Sequence, residues 1–228
     1  MIFPQNTLEE LYDQALQDTI WAVKEALETE DECRIGLAGG STPQALYEKM
    51  AGSNLPWDKI VFIQLDERYV LSDEDESNLK MLRRSLFNQL PQQAKEVITF
   101  DTSLAYEQAS KEMDRKLNAK LIERKPLFDL LILGAGADGH VASLFSSVDL
   151  TADLALNTTA KAYKTQKRLS LGMGALSQAK QALLLLVGES KLEIANSLQG
   201  HSQSTPIQVL VQKVPTKVLT CALESKHI

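Results

Sequence analysis

The sequence predicts an α/β fold: a single domain with a mostly parallel, twisted sheet and helices on both faces. Short apolar runs without alternation recur at residues 34–38, 59–65, 130–133 and 182–187. Such runs suit strands buried on both sides. Stretches of helical periodicity stand between them. The 228 residues, 44% of them apolar, contain no internal repeat and no low-complexity linker, so one core is expected.

Taken in order, Thr7 begins a capping box with Glu10. Leu8, Leu11, Ala15, Ala22, Val23 and Leu27 then follow at helical spacing, predicting a helix to about residue 30. The strand at 34–38 runs into Gly39, Gly40, Ser41, Thr42 and Pro43. Pro43 fits the first position of a helix, with Thr42 or Ser41 as its cap. Two glycines, two hydroxyls and a helix N-terminus after a strand make an anion site. The plainer alternative is an ordinary capped turn. The strand at 59–65 delivers Asp66, Glu67 and Arg68 to the same edge of the sheet. Residues 73–76 read as a solvated acidic loop. Ser77 opens a helix to about residue 90, residues 97–100 form a short strand, and 104–124 form a long charged helix.

The strand at 130–133 leads into Gly134, Gly136 and Gly139, after which a short helical segment is expected to open at His140. Ligands of open α/β sheets bind at the carboxyl ends of the strands, so His140 and Asp138 would sit at a strand mouth. The glycines also match G-x-G-x-x-G, the dinucleotide pattern. That reading is disfavoured, because the loop lies mid-chain and no second strand ending in a ribose-binding carboxylate follows. Residues 151–165 read as a loop or lid. Lys161, Lys164, Lys167 and Arg168 form a basic cluster in an acidic chain. Arg168, held by a strand at 168–171, is expected to contact an anion, and the lysines are expected to play no part. Lys191 falls in the first turn of a helix running to about residue 198. A lysine there opposes the helix dipole unless an anion lies nearby. Residues 207–212 and 217–221 close the sheet region.

The net charge of −6 argues against nucleic acid and anionic membrane as partners. Cys33 and Cys221 have no metal-like or CxxC spacing and read as buried thiols of a reducing compartment. The start lacks a basic and an apolar leader region, and no stretch approaches 18 apolar residues, so a cytoplasmic location is expected. Of His140, His201 and His227 only the first falls near the strand mouths, and no metal is expected. No G-x-S-x-G elbow is present. What remains is general acid–base chemistry on a small phosphorylated molecule, which an imidazole runs near neutral pH.

Six segments together resemble the glucosamine-6-phosphate deaminase/6-phosphogluconolactonase family. They are residues 38–43 (AGGSTP), 65–70 (LDERYV), Ser77-Asn78, 133–145 (LGAGADGHVASLF), 168–171 (RLSL) and 188–191 (GESK). The deaminases carry a glutamate and usually Asn-Glu-Pro after their Gly-His segment, and lack the arginine that here follows Asp66-Glu67. Both differences place the resemblance on the lactonase side. Ser146 departs from the usual proline, and residues 165–173 are a looser version of the approach to the arginine strand. The resemblance implies a deaminase/isomerase-like, Rossmann-related fold. It also implies hydrolysis of a phosphorylated sugar lactone in the pentose phosphate pathway, with no cofactor. The expected partner is that small lactone, with no nucleic acid and no membrane, and the chain as a monomer or homodimer. In this reading the loop of Gly39, Gly40, Ser41 and Thr42 takes the 6-phosphate, with Arg168 and Lys191 neutralising it. His140 is the base. Arg68, or N–H groups of the glycine loop, stabilises the oxyanion, and Asp138 or Asp66 orients the imidazole or the sugar hydroxyls. The rival readings are an amino-sugar-phosphate deaminase and a non-enzymatic sugar-phosphate sensor.

Overall fold

The computed structural model describes residues 1–146, 149–200 and 204–223. In chain order its elements are β1 (Ile2–Pro4), α1 (Leu8–Leu27), β2 (Cys33–Leu37), α2 (Ser41–Ala51), β3 (Ile60–Gln64), β4 (Asp66–Arg68) and α3 (Asn78–Ser85). There follow β5 (Glu96–Ile98), α4 (Tyr106–Glu123), β6 (Phe128–Gly134), β7 (Ala155–Thr159), β8 (Lys167–Leu171), α5 (Met173–Leu176), β9 (Ala179–Val187), α6 (Leu192–Ser197), α7 (Pro206–Lys213) and β10 (Thr216–Cys221).

Seven strands form one sheet in the order β1-β10-β9-β6-β2-β3-β5, and every neighbouring pair is parallel. The apolar runs are continuous because successive side chains enter different cores. Ile60 and Phe62 point into one cluster with α1, α2 and α3, whereas Val61 and Ile63 point into another with α4, α5, α6 and α7. The same alternation holds for Leu130 and Ile132 against Leu131 and Leu133. The sheet is thus buried on both faces, as the patternless runs required.

Strand order reverses beside β2 and β6. From β2 the chain moves outward through β3 and β5; from β6 it moves the other way through β9 and β10. Connections that diverge from adjacent strands leave a crevice at their carboxyl ends. The turn at 39–42 follows β2 and the glycine loop follows β6, so two segments about a hundred residues apart open on that crevice.

Several expectations are corrected. Residues 151–165 are not one long loop, because β7 lies within them and pairs antiparallel with β8. With β4, these strands make a separate three-stranded sheet, β4-β8-β7. Residues 207–212 belong to helix α7 rather than to the sheet. The helix expected to run from Ser77 to about residue 90 ends at Ser85 and gives way to a single 3-10 turn. No helix opens at His140; Ala142 has φ +49, and Val141 makes isolated bridges to Ala135 and Leu144. Both cysteines are free and buried, and burial pushes the Cys33 thiol up. Among the described residues, no helix is long and apolar enough to cross a membrane. His201 and His227 lie outside the described residues.

Candidate active site

The turn after β2 is built by Gly40, whose φ of +102 lies in the left-handed region open to glycine. This bend feeds the chain directly into α2, so Gly40 itself is the cap and no side chain caps the helix. Ser41 and Thr42, expected to be the cap, lie inside the first turn, and Pro43 is its third residue. The helix N–H groups are therefore not satisfied by a capping side chain, as an anion site needs. Gly39 approaches Asn78 so closely that a Cβ would overlap its side-chain amide. Its N–H faces Asp66 Oδ1 at 3.4 Å.

β4 separates its three charges by strand alternation. Glu67 turns inward, 1% exposed, and accepts hydrogen bonds from the N–H groups of Asn78 and Leu79, the Ser77 hydroxyl and the Gln64 amide. It seats the first turn of α3. Burial pushes its carboxyl above the usual value, although these donors pull it back. Asp66 and Arg68 face the cleft. Asp66 Oδ2 accepts from the Ser143 hydroxyl at 2.7 Å. It therefore ties the turn after β2 to the segment after His140, and among the described residues it makes no hydrogen bond to the imidazole.

The orienting carboxylate is Asp138. Its Oδ1 lies 2.6 Å from His140 Nδ1 and accepts from the His140 backbone N–H at 3.2 Å. Partial burial raises the Asp138 carboxyl, but the charge and hydrogen bonds of His140 outweigh this and hold it below the usual value. An ionised carboxylate on Nδ1 fixes the tautomer that leaves Nε2 free to accept a proton. Gly136 makes this pair possible, since a Cβ there would overlap both the ring and the carboxylate. The N–H groups of Gly136 and Gly139 donate to the carbonyls of His140 and Gly136. Those two donors hold the loop together and are not left for an oxyanion. Arg68, which lines the cleft, and the remaining N–H groups of the loop are the candidates for that task.

Arg68 and Arg168 are direct partners across the β4–β8 ladder. Like charges directly opposite each other are unfavourable. Arg68 donates to the Glu76 carbonyl at 2.6 Å. Arg168 is 6% exposed, and its Nε has no hydrogen-bond partner. Burial, followed by the Arg68 charge, lowers its affinity for its proton. Lys191 is half-buried and lowered by burial, with Asp138 drawing it back. Of the lysines read as bystanders, Lys164 pairs with Glu76 at 2.6 Å and Lys167 lies over the rings of Tyr69 and Tyr106.

Of the ten sequence-predicted residues, the structure brings nine to one cleft and sets the tenth against His140. Gly39, Gly40, Ser41, Thr42, Asp66, Arg68, His140, Arg168 and Lys191 line a single cleft of about 430 Å³, and Asp138 stands behind His140. Sequence reasoning missed Ser143, Phe145 and Tyr163, which line it too. Ser143 could have been found from its place in the Gly-His segment; Tyr163 had no signal. Among the described residues no group of three His, Cys, Asp or Glu side chains is placed to hold a metal.

A protein-family model described as glucosamine-6-phosphate isomerases/6-phosphogluconolactonase matches residues 6–220. The curated 6-phosphogluconolactonase of Thermotoga maritima is 35% identical over 186 residues, 81% of either chain. That of Caulobacter vibrioides is 30% identical over 220 residues, 92% of this chain and 91% of its own. The crystal structure of the Thermotoga maritima 6-phosphogluconolactonase superposes with a TM-score of 0.87 at 29% identity, covering 97% of this chain and 98% of that one. With the cleft in place and the match spanning nearly the whole chain, the protein belongs to the glucosamine-6-phosphate isomerase/6-phosphogluconolactonase family.

Proposed function

We propose that the protein hydrolyses 6-phospho-D-glucono-1,5-lactone to 6-phosphogluconate, with His140 as general base. The observation that carries this reading is an imidazole oriented by Asp138 in the same cleft as a buried arginine without a carboxylate partner. The relatives named 6-phosphogluconolactonase support the substrate. The absence of a glutamate and Asn-Glu-Pro after Gly139-His140 favours the lactonase over the deaminase branch.

In the proposed reaction the 6-phosphate lies against the turn of Gly39, Gly40, Ser41 and Thr42, with Arg168 and Lys191 neutralising it. His140 Nε2 takes a proton from water as the water oxygen bonds to the lactone carbonyl carbon. Arg68 stabilises the resulting oxyanion; an aimed donor contributes about 3–4 kcal/mol. As the tetrahedral intermediate collapses, the bond from the carbonyl carbon to the ring oxygen breaks. The imidazolium returns its proton to that oxygen. Asp66 keeps the phosphate turn and the His140 loop in register through Gly39 and Ser143. The two buried free thiols support a reducing compartment, and the cytoplasm is the proposed location.

The test is a pH-stat assay on fresh 6-phosphogluconolactone. Base consumption well above the spontaneous rate is expected, together with no ammonia from glucosamine 6-phosphate. Ammonia release without lactone hydrolysis would establish the deaminase reading instead. Binding of the sugar phosphate with neither reaction would establish a sensor.

A further inference from the structure

Arg168 presents a physical problem. A guanidinium this deeply buried is ordinarily held by a carboxylate, as the buried Arg34 is held by Glu32 and Glu123. Arg168 forms no ion pair among the described residues. Its guanidinium carbon instead lies 5.5 Å from the ring centre of Tyr163. Tyr163 comes from the connection between β7 and β8 and lines the cleft. The same ring meets His140 edge-on, 5.9 Å between centres at 89°, and Phe145 at 5.8 Å. Its connection is anchored from outside, since the Lys164 ammonium and the Thr165 hydroxyl both donate to the Glu76 carboxylate.

We propose that Tyr163 is a positioning residue that aims Arg168 at the substrate phosphate while leaving its charge and N–H donors unspent. A ring face attracts a cation through its quadrupole without accepting its hydrogen bonds. A carboxylate in the same place would hold the arginine as firmly, but would compete with the phosphate for it. This extends the reading that Arg168 binds the phosphate and rests on it. The ring, not the hydroxyl, does the work. No hydrogen bond anchors that hydroxyl among those that organise the cleft, and Tyr163 remains 42% exposed, so replacing it leaves the core intact.

The experiment measures the dissociation constant of 6-phosphogluconate by titration calorimetry, and KM and kcat for the lactone. The proteins compared are the unaltered one and Tyr163→Phe, Tyr163→Ala, Tyr163→Glu and Arg168→Ala. Tyr163→Phe is expected within about twofold of the unaltered protein. Tyr163→Ala should weaken product binding about two- to thirty-fold, the range of a cation–π contact from exposed to desolvated sites. KM should rise by a similar factor and kcat should change less. Tyr163→Glu should be weaker still. If Arg168→Ala weakens binding but Tyr163→Ala does not, or if Tyr163→Phe is as weak as Tyr163→Ala, the positioning role is overturned. If Arg168→Ala itself leaves binding unchanged, the phosphate reading fails instead.

Discussion

Asp129 and Arg168 are both almost wholly buried, at opposite ends of the parallel strands, and their surroundings differ in kind. Asp129, near the start of β6, receives two hydrogen bonds from the Arg124 guanidinium, one from the Arg34 backbone N–H and an ion pair from Lys180 at 2.9 Å. Burial raises its carboxyl, but these donors and cations outweigh it and hold it below the usual value. Around it Arg34 also donates to the carbonyls of Lys120 and Arg124, closing the end of α4. At the carboxyl edge, Arg168 faces another arginine and keeps an unsatisfied Nε. A buried charge without a partner costs several kcal/mol in a fold whose net stability is only about 5–15 kcal/mol. The difference teaches that charge at one end completes the fold, whereas charge at the other is left without a carboxylate partner among the described residues, as the proposed phosphate contact requires.

Substitutions at the two ends should therefore separate activity from stability. His140→Ala should lower kcat about 10²–10⁴-fold with KM little changed and the unfolding midpoint unmoved. A variant retaining full turnover would remove the imidazole from its role and blur the contrast. At the other end, Asp129→Ala leaves Arg124 with Glu30 alone among the described residues and takes away the Lys180 ion pair. It should cost about 3 kcal/mol in denaturant unfolding while leaving KM and the kcat of the folded fraction intact. A loss of affinity with unchanged stability would reverse the assignment of the two ends. The smallest effect concerns pH. Because the Asp129 carboxyl is held below its ordinary value in the fold, it contributes stability that is present above about pH 4 and lost as pH falls through the folded value. Unfolding midpoints followed down through that range should fall more steeply for the unaltered protein than for Asp129→Ala.

Much of the site could be read from the chain because its signals are local. Gly39 and Gly40 follow a buried strand, and Asp138 and His140 follow another; each pairing spans only a few residues. The same locality explains the misses. In β7, Asn157 and Thr158 are polar, and their partners are the Tyr106 carbonyl and the Ser143 carbonyl, far off in sequence, so no apolar period marked a strand. In α7, the run Ile207, Gln208, Val209, Leu210, Val211 favoured a strand by composition. The helix start was nevertheless written in Thr205, Pro206 and Gln208: Pro206 opens the helix, and the Gln208 side chain accepts from the Thr205 N–H at 3.1 Å. The segment after His140 resembled a helix only because nothing nearby showed that Val141 would bridge to Ala135 and Leu144.

By itself the sequence determined which segments would be buried strands, where their glycine turns fall, and that one imidazole and a few cations stand at those turns. Burial on both faces and tight backbone approach are demands met by residue type in place. Only the tertiary structure decided that Asp138 rather than Asp66 holds the imidazole, that Arg68 meets Arg168 across a second sheet, and that Tyr163 reaches both Arg168 and His140. These are pairings between segments brought together by strand order, and such neighbours are fixed by the reversal beside β2 and β6, which no single stretch of chain encodes.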